Sequence, residues 1–165
     1  MSMGMGRTRI APAIAVFAMA VSLSATAFGD DITREDYVAQ AEPICKVNTL
    51  ANRRIFKGVR KMVRQNKLDK AAKRFKRAAA SLRTTISQLS DLPQPSADQT
   101  RLSKWLDYLN VERSFLTKIG KALAADNKFQ AQNFIVRLRR NSNLANNTVL
   151  PFEFNYCRID PSRFT

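Results

Sequence analysis

Fourteen Lys and Arg side chains lie within the 38 residues from Lys46 to Arg83, and they are the most concentrated chemical group in this chain. Only one acid, Asp69, lies among them, so the stretch holds +13 of the chain's net charge of +15. Arg7 and Arg9 supply the remaining +2. Lys and Arg bind phosphates and carboxylates, and cations concentrated in this way indicate an anionic surface or partner.

The helical pattern of this stretch selects the candidate binding residues. On a wheel of about 100° per residue, one side, nearly opposite an apolar stripe, holds five cations: Lys46, Arg53, Lys57, Arg60 and Arg64. The predicted polyanion-binding residues are Arg53, Lys57, Arg60, Lys61, Arg64, Lys70, Lys73, Arg74 and Arg77. A solvated face of an amphipathic helix is the alternative interpretation. Like charges three and four residues apart repel each other, and this cost favours a functional role for the cations.

Two cysteines, Cys45 and Cys157, are the only other residues with a distinctive chemistry. An exported chain with one pair of cysteines is expected to form one disulfide. A loop of this length contributes up to about 4–5 kcal/mol in the chain-entropy model. The alternative is a redox pair, but redox cysteines usually lie close together in sequence.

The composition also limits catalysis. The chain has no His, which excludes His-based triads, imidazole bases, and zinc or haem sites with His ligands. Its acids are scattered, no Gly-rich phosphate loop is present, and no Ser or Cys has a candidate base. We therefore predict a protein that is not an enzyme and has no cofactor or metal, while an enzyme that uses only Lys or Asp stays open.

The basic stretch falls on two predicted helices. The first begins at Thr33, where Asp36 completes a capping box, and its apolar stripe continues to Met62. Pro43 lies inside this stripe and is expected to kink or split the helix. Asn66 is expected to cap the second helix after a short turn, so the two helices should form an antiparallel hairpin.

Two more helices follow a clear break at 91–95, which contains two prolines. Ser96 and Gln99 resemble a capping box for a third helix over 97–125, in which Trp105 is expected to pack in the core. Asp126 or Asn127 is expected to cap a fourth helix that ends near Asn147. The residues expected to face inward there are Phe129, Phe134, Ile135, Leu138, Ala145 and Val149.

Together these elements predict an all-α fold, a four-helix up-down bundle closed by a Cys45–Cys157 disulfide. The aromatic ending should dock onto the bundle through Phe152, Phe154 or Tyr156. Residues 1–27 are typical of a secretory signal, with a basic start, an apolar core and a small-residue cleavage pattern. Residues 28–165 then form a single domain. An uncleaved N-terminal membrane anchor is the alternative.

The segment from Tyr37 to Cys45, followed by Asn48, resembles the start of small exported helical proteins of high-GC Gram-positive bacteria. In those proteins an aromatic residue, an Ala and an Ile-Cys pair open the first helix, and a second Cys lies near the C-terminus. The resemblance implies export, a helical bundle and a disulfide. It implies no activity and no site residue.

These observations favour a secreted or envelope-associated, non-catalytic protein that binds an anionic envelope component through the basic hairpin Lys46–Arg83. Anionic lipid and phosphate-bearing wall polymer are the expected partners. Nucleic acid ranks below them, because the protein is exported and the stretch has few aromatics for base stacking. The alternatives are a periplasmic-type chaperone, for which a homodimer through the long helices would be typical, and a structural domain whose charge only confers solubility.

Overall fold

A computed structural model describes residues 31–160, so the signal segment predicted over 1–27 lies outside the described residues. Five α-helices make up most of this part: α1 Arg34–Phe56, α2 Val59–Arg64, α3 Leu68–Ser90, α4 Gln99–Ala124 and α5 Lys128–Thr148. Single 3-10 turns precede α4 and follow α5. No helix within this part of the chain is long and apolar enough to cross a membrane.

The four long helices form an up-down bundle, as predicted. α3 packs against α1 and α4, and α4 packs against α5, while the short α2 packs on α3. Alternating directions bring α2, the start of α3 and the α4–α5 turn to one end of the bundle, which we call the basic end. The start of α1, the start of α4 and the C-terminal segment 149–160 lie at the opposite end, the disulfide end.

The predicted disulfide is confirmed. Cys45 and Cys157 are joined by an Sγ–Sγ distance of 2.07 Å, with their Cα atoms 4.9 Å apart. Beside them, the backbone amide of Tyr156 donates to the Glu42 carboxylate at 3.1 Å, and the Thr49 hydroxyl donates to the Tyr156 carbonyl at 3.2 Å. The C-terminal segment is therefore held along α1 by covalent and polar contacts.

Aromatic side chains fix the same segment in the core. Phe152 and Phe154 are each 3% exposed, and Phe154 stacks on Trp105 with ring centroids 5.6 Å apart. Tyr37 meets Phe152 edge to face at 5.9 Å. Both the docking of the aromatic ending and the core position of the tryptophan are thus confirmed.

Two of the predicted helix caps are present. Thr33 and Asp36 form the capping box that begins α1, in which the Asp36 amide donates to the Thr33 hydroxyl. Asn127 accepts from the Gln130 amide at 2.9 Å and caps α5. These caps are local interactions between residues three apart, so they follow directly from the sequence.

Two other predicted caps are wrong. Ser96 does not cap α4, because its amide and hydroxyl donate to the Asp31 carboxylate, and Asp98 occupies the N-cap position. Asn66 does not cap α3, where Lys67 occupies the N-cap position. Asn66 has φ 57° and supplies the left-handed residue of the turn instead.

The first helix breaks at a different place from the one predicted. Pro43 lies inside an uninterrupted α1, and the helix ends at Phe56, just before Gly58. Gly58 has φ 80°, a conformation that a residue without a Cβ adopts at low cost. The helical wheel treated residues 46–64 as one continuous helix. Because α2 is a separate helix that begins after this glycine, Arg60 and Arg64 do not continue the basic face of α1.

The inward face of α5 is confirmed except at its start. Leu138, Ala145 and Val149 are fully buried, and Phe134 and Ile135 are half-buried. Phe129, however, is 79% exposed. The buried residue of the first turn is Ala131, and a residue two positions away points about 200° from it around the helix. The prediction that Phe129 faces inward is therefore wrong.

Candidate anion-binding surface

Four of the predicted binding residues share one depression at the basic end. Lys70, Lys73, Arg74 and Arg77 follow the i, i+3, i+4, i+7 spacing that places side chains on one face of a helix. Together with Met62 of α2 they line a depression of about 200 Å³. Arg74 is half-buried and the other three cations are exposed. We call this group the cation cluster.

The cation cluster has no acidic partner in the part of the chain that the structure describes. None of its four side chains forms a hydrogen bond or an ion pair within residues 31–160. At the disulfide end, by contrast, the Arg34 Nε lies 2.8 Å from the buried Asp98 carboxylate, and Arg101 lies 3.6 Å from it. The donors of the cluster therefore face solvent and can reach an external anion.

The other five predicted residues separate into two groups. Arg60 and Arg64 line a cleft on the other side of α2. Arg53, Lys57 and Lys61 are exposed and line neither the depression nor the cleft. The nine cations thus do not line one common depression: four line the depression at Met62, two line the cleft, and three line neither.

The cleft is the larger feature, with a volume of about 520 Å³. It lies between the α1–α2 connection and the first half of α5, with α3 and the end of α4 beneath. Its walls and floor are mainly apolar, and three of its four polar lining residues are cations. The lining residues are Phe56, Gly58, Val59, Arg60, Val63, Arg64, Phe75, Leu123, Lys128, Ala131, Gln132 and Ile135.

The cleft lies between α1 and α5, the outer members of the bundle. Residues 149–160 of the C-terminal segment contact the same two helices nearer the disulfide end. Ile159 is joined there to Asn146 of α5 by two hydrogen bonds of 2.7 Å, and Thr49 of α1 donates to the Tyr156 carbonyl. At the cleft, Phe56 packs edge to face on Phe75 at 5.1 Å and forms part of the floor.

A small polar cavity lies deeper in the bundle, next to the disulfide. It measures about 50 Å³ and is lined by Thr85, Trp105 and Glu112 among others, with Phe56 between it and the cleft. The Trp105 Nε1 finds no hydrogen-bond acceptor within residues 31–160, and Glu112 is 4% exposed. The cavity has space for a few water-sized groups and for nothing larger, so we interpret it as part of the interior.

Sequence reasoning missed several residues of this end. Met62 packs against the core, as its place in the apolar stripe predicted, and it also lines the depression together with the cation cluster, which was not predicted. Lys128 and Val63 carried no functional prediction, yet they line the cleft. Gly58 was the feature of the sequence that could have revealed these positions. An isolated glycine in a helical pattern can mark a break that reorients the residues after it.

The depression and the cleft are lined by cations and apolar side chains, with Gln132 as the other polar lining residue. Within residues 31–160, no three His, Cys, Asp or Glu side chains lie together as metal ligands would. The pKa of Tyr37 is raised to about 12 by burial, and this phenol lies in the core at the opposite end. No protein-family model, curated protein or solved structure matches the chain.

Proposed function

We propose that this protein is exported and binds an anionic component of the cell envelope through its basic hairpin Lys46–Arg83, without catalysis. The observation that carries the proposal is the cation cluster of Lys70, Lys73, Arg74 and Arg77, which has no acidic partner within residues 31–160. Four cations held on one helix face repel each other, so the arrangement favours a ligand that neutralises them.

A partner at the envelope fits both the charge and its distribution. Anionic lipid headgroups and phosphate-bearing wall polymers present many negative charges, and each Lys or Arg near an anionic membrane contributes about 1 kcal/mol. Nucleic acid fits less well, because Phe56 and Phe75 are the only aromatics of the hairpin and they pack edge to face on each other.

Co-sedimentation of the purified protein tests the proposal. The protein is mixed with anionic vesicles, with neutral vesicles and with cell-wall sacculi, at low and at physiological salt. We expect binding to an anionic component that weakens as salt rises, because exposed charges are screened. Changing Lys70, Lys73, Arg74 and Arg77 together to Gln should lower the affinity about a hundredfold or more.

A matched variant separates the cluster from the net charge. Lys104, Arg137, Arg139 and Arg140 are exposed cations outside the hairpin, and changing them to Gln removes the same four charges. We expect this variant to bind nearly as well as the original protein. Equal losses in the two variants would assign the binding to net charge, and no binding to any anionic component would refute the proposal.

The chaperone alternative finds one supporting observation. Phe129, Val136 and Leu144 are exposed apolar residues on α5, with 79%, 58% and 43% of their surfaces accessible. They lie on a different helix from the cation cluster, but Val47 and Leu50, which are 71% and 39% exposed, lie on α1 within the basic hairpin. Suppression of client aggregation, lost when Phe129 and Val136 are changed to Ser, would favour the chaperone function.

A further inference from the structure

We propose that the cleft beside α2 holds a hydrocarbon chain of an anionic envelope lipid, with the lipid headgroup bound by Arg64 and Lys128. The inference rests on the proposed function for the anionic character of the partner, and it names lipid as the partner class. It assigns the cleft a role distinct from that of the cation cluster, which lies on the other side of α2.

The lining of the cleft matches a hydrocarbon chain. Val59 and Val63 form one wall and Ile135 belongs to the other, with Phe75 and Leu123 at the floor. Its volume of about 520 Å³ lies within the range of small-molecule sites, which are usually concave and largely apolar. A hydrocarbon chain placed there removes apolar surface of both partners from water.

The cations of the cleft lie on both of its sides. Arg64 is the last residue of α2 and Lys128 is the first residue of α5, so the two side chains approach from opposite walls. Both are exposed and neither forms an ion pair within the described part of the chain. An anionic headgroup held between them complements the charge, while its chain lies below on the apolar floor.

The polar content of the cleft argues against a peptide as occupant. A peptide backbone carries donors and acceptors that must be satisfied when they are buried. Apart from its cations, the cleft offers Gln132 as its one polar side chain among the lining residues. A hydrocarbon chain requires no hydrogen bonds, so the lining suits a lipid chain better than an extended peptide.

Fluorescence titration with a single-chain anionic probe, dansyl-undecanoic acid, tests the inference. The purified protein should enhance the fluorescence of the probe, and lysophosphatidylglycerol below its micelle concentration should displace it. Ile135→Trp fills the cleft from α5 and should weaken binding at least tenfold. Val136→Trp adds the same side chain to the neighbouring, 58% exposed position and should leave binding unchanged.

The headgroup contact has its own test. Changing Arg64 and Lys128 to Gln should weaken lysophosphatidylglycerol severalfold and leave zwitterionic lysophosphatidylcholine of the same chain length unaffected. Equal binding of the two lipids to the original protein would overturn the assignment of the headgroup to these cations. Val63→Phe, which fills the cleft from α2, provides a second test of the chain site if Ile135→Trp does not fold.

Failure of this inference can be distinguished from failure of the proposed function. Absence of probe binding, or equal binding by the Ile135→Trp and Val136→Trp variants, refutes the lipid-chain site even where sedimentation with anionic vesicles or sacculi stays intact. Cleft-dependent probe binding without any sedimentation supports the chain site and refutes the role of the hairpin. Loss of sedimentation in the cation-cluster variant alone does not bear on the cleft. The fluorescence titration then decides whether the cleft binds a lipid chain.

Discussion

The two ends of the bundle are built on opposite principles. At the disulfide end, the Cys45–Cys157 bond, an aromatic cluster and the buried Asp98 with its arginines hold the elements together, although the Tyr37 hydroxyl and the Trp105 Nε1 have no hydrogen-bond partner within residues 31–160. At the basic end, the cation cluster has no acidic partners within residues 31–160, a cleft of about 520 Å³ opens between the outer helices, and Phe129 is exposed.

This difference agrees with the proposal that the basic end binds the partner. Mutually repelling cations and exposed apolar surface oppose folding, so they are expected where a protein gives up stability for binding. The disulfide end offsets this cost, since a cross-link that encloses most of the domain restricts the unfolded chain. We therefore expect changes at the disulfide end to alter stability and changes at the basic end to alter binding.

The largest effect is expected from the disulfide. Changing Cys45 and Cys157 to Ala opens a loop with a sequence separation of 112 residues. The free energy of unfolding should fall by about 4–5 kcal/mol, because the unfolded chain regains its entropy. Urea denaturation measures this change. At a low temperature at which this variant still folds, it should keep its salt-sensitive binding. Loss of that binding would contradict the expectation that the disulfide end controls stability and the basic end controls binding.

Two phenylalanines, one from each end, sharpen the comparison. Phe154→Ala removes a 3% exposed ring from its stack with Trp105 and should lower the free energy of unfolding by about 3–4 kcal/mol. Phe129→Ala removes a 79% exposed ring and should change it by less than about 0.5 kcal/mol. Thermal denaturation compares the two variants. A large loss for Phe129→Ala would show that the basic end also supports the fold.

A smaller effect should appear at alkaline pH, at the disulfide end alone. Tyr37 is fully buried, and burial raises its pKa from 10.0 to about 12 because the phenolate is poorly solvated there. The unfolded chain loses this proton first, so the contribution is complete below pH 10 and is lost as pH rises toward 12. The loss should reach about 2–3 kcal/mol.

Denaturation series between pH 9 and pH 12 measure the effect of this residue. Tyr37→Phe keeps the ring and has no proton to lose, so its stability should vary less over the same window. Cations also titrate there, but they are common to both proteins and cancel in the difference. Identical pH profiles for the two proteins would show that the phenol does not control alkaline stability.

Local patterns predicted much of the fold. The Thr33 and Asn127 caps, the buried face of α5 and the core position of Trp105 depend on neighbours a few residues away, which the sequence displays directly. The pairing of Cys45 with Cys157 required no geometry, because only one pairing exists. The four cations that line the depression were among the nine predicted binding residues, although the sequence analysis did not separate them from the other five.

One failure depended on a contact distant in sequence. Ser96 donates to Asp31, 65 residues away, and does not cap its own helix. The other failures were local: α1 ends at Phe56, just before Gly58, and not at Pro43, and periodicity alone did not choose between a kink and a break.

The sequence by itself determined the helices, their alternation, the disulfide and the concentration of charge, because each depends on residue type and short-range spacing. The tertiary structure alone decided which cations line the depression, which line the cleft, and that the cleft exists. The cleft brings together the α1–α2 connection and α5, which lie about seventy residues apart in sequence. Such a juxtaposition depends on how the helices pack against each other, and no local pattern encodes it.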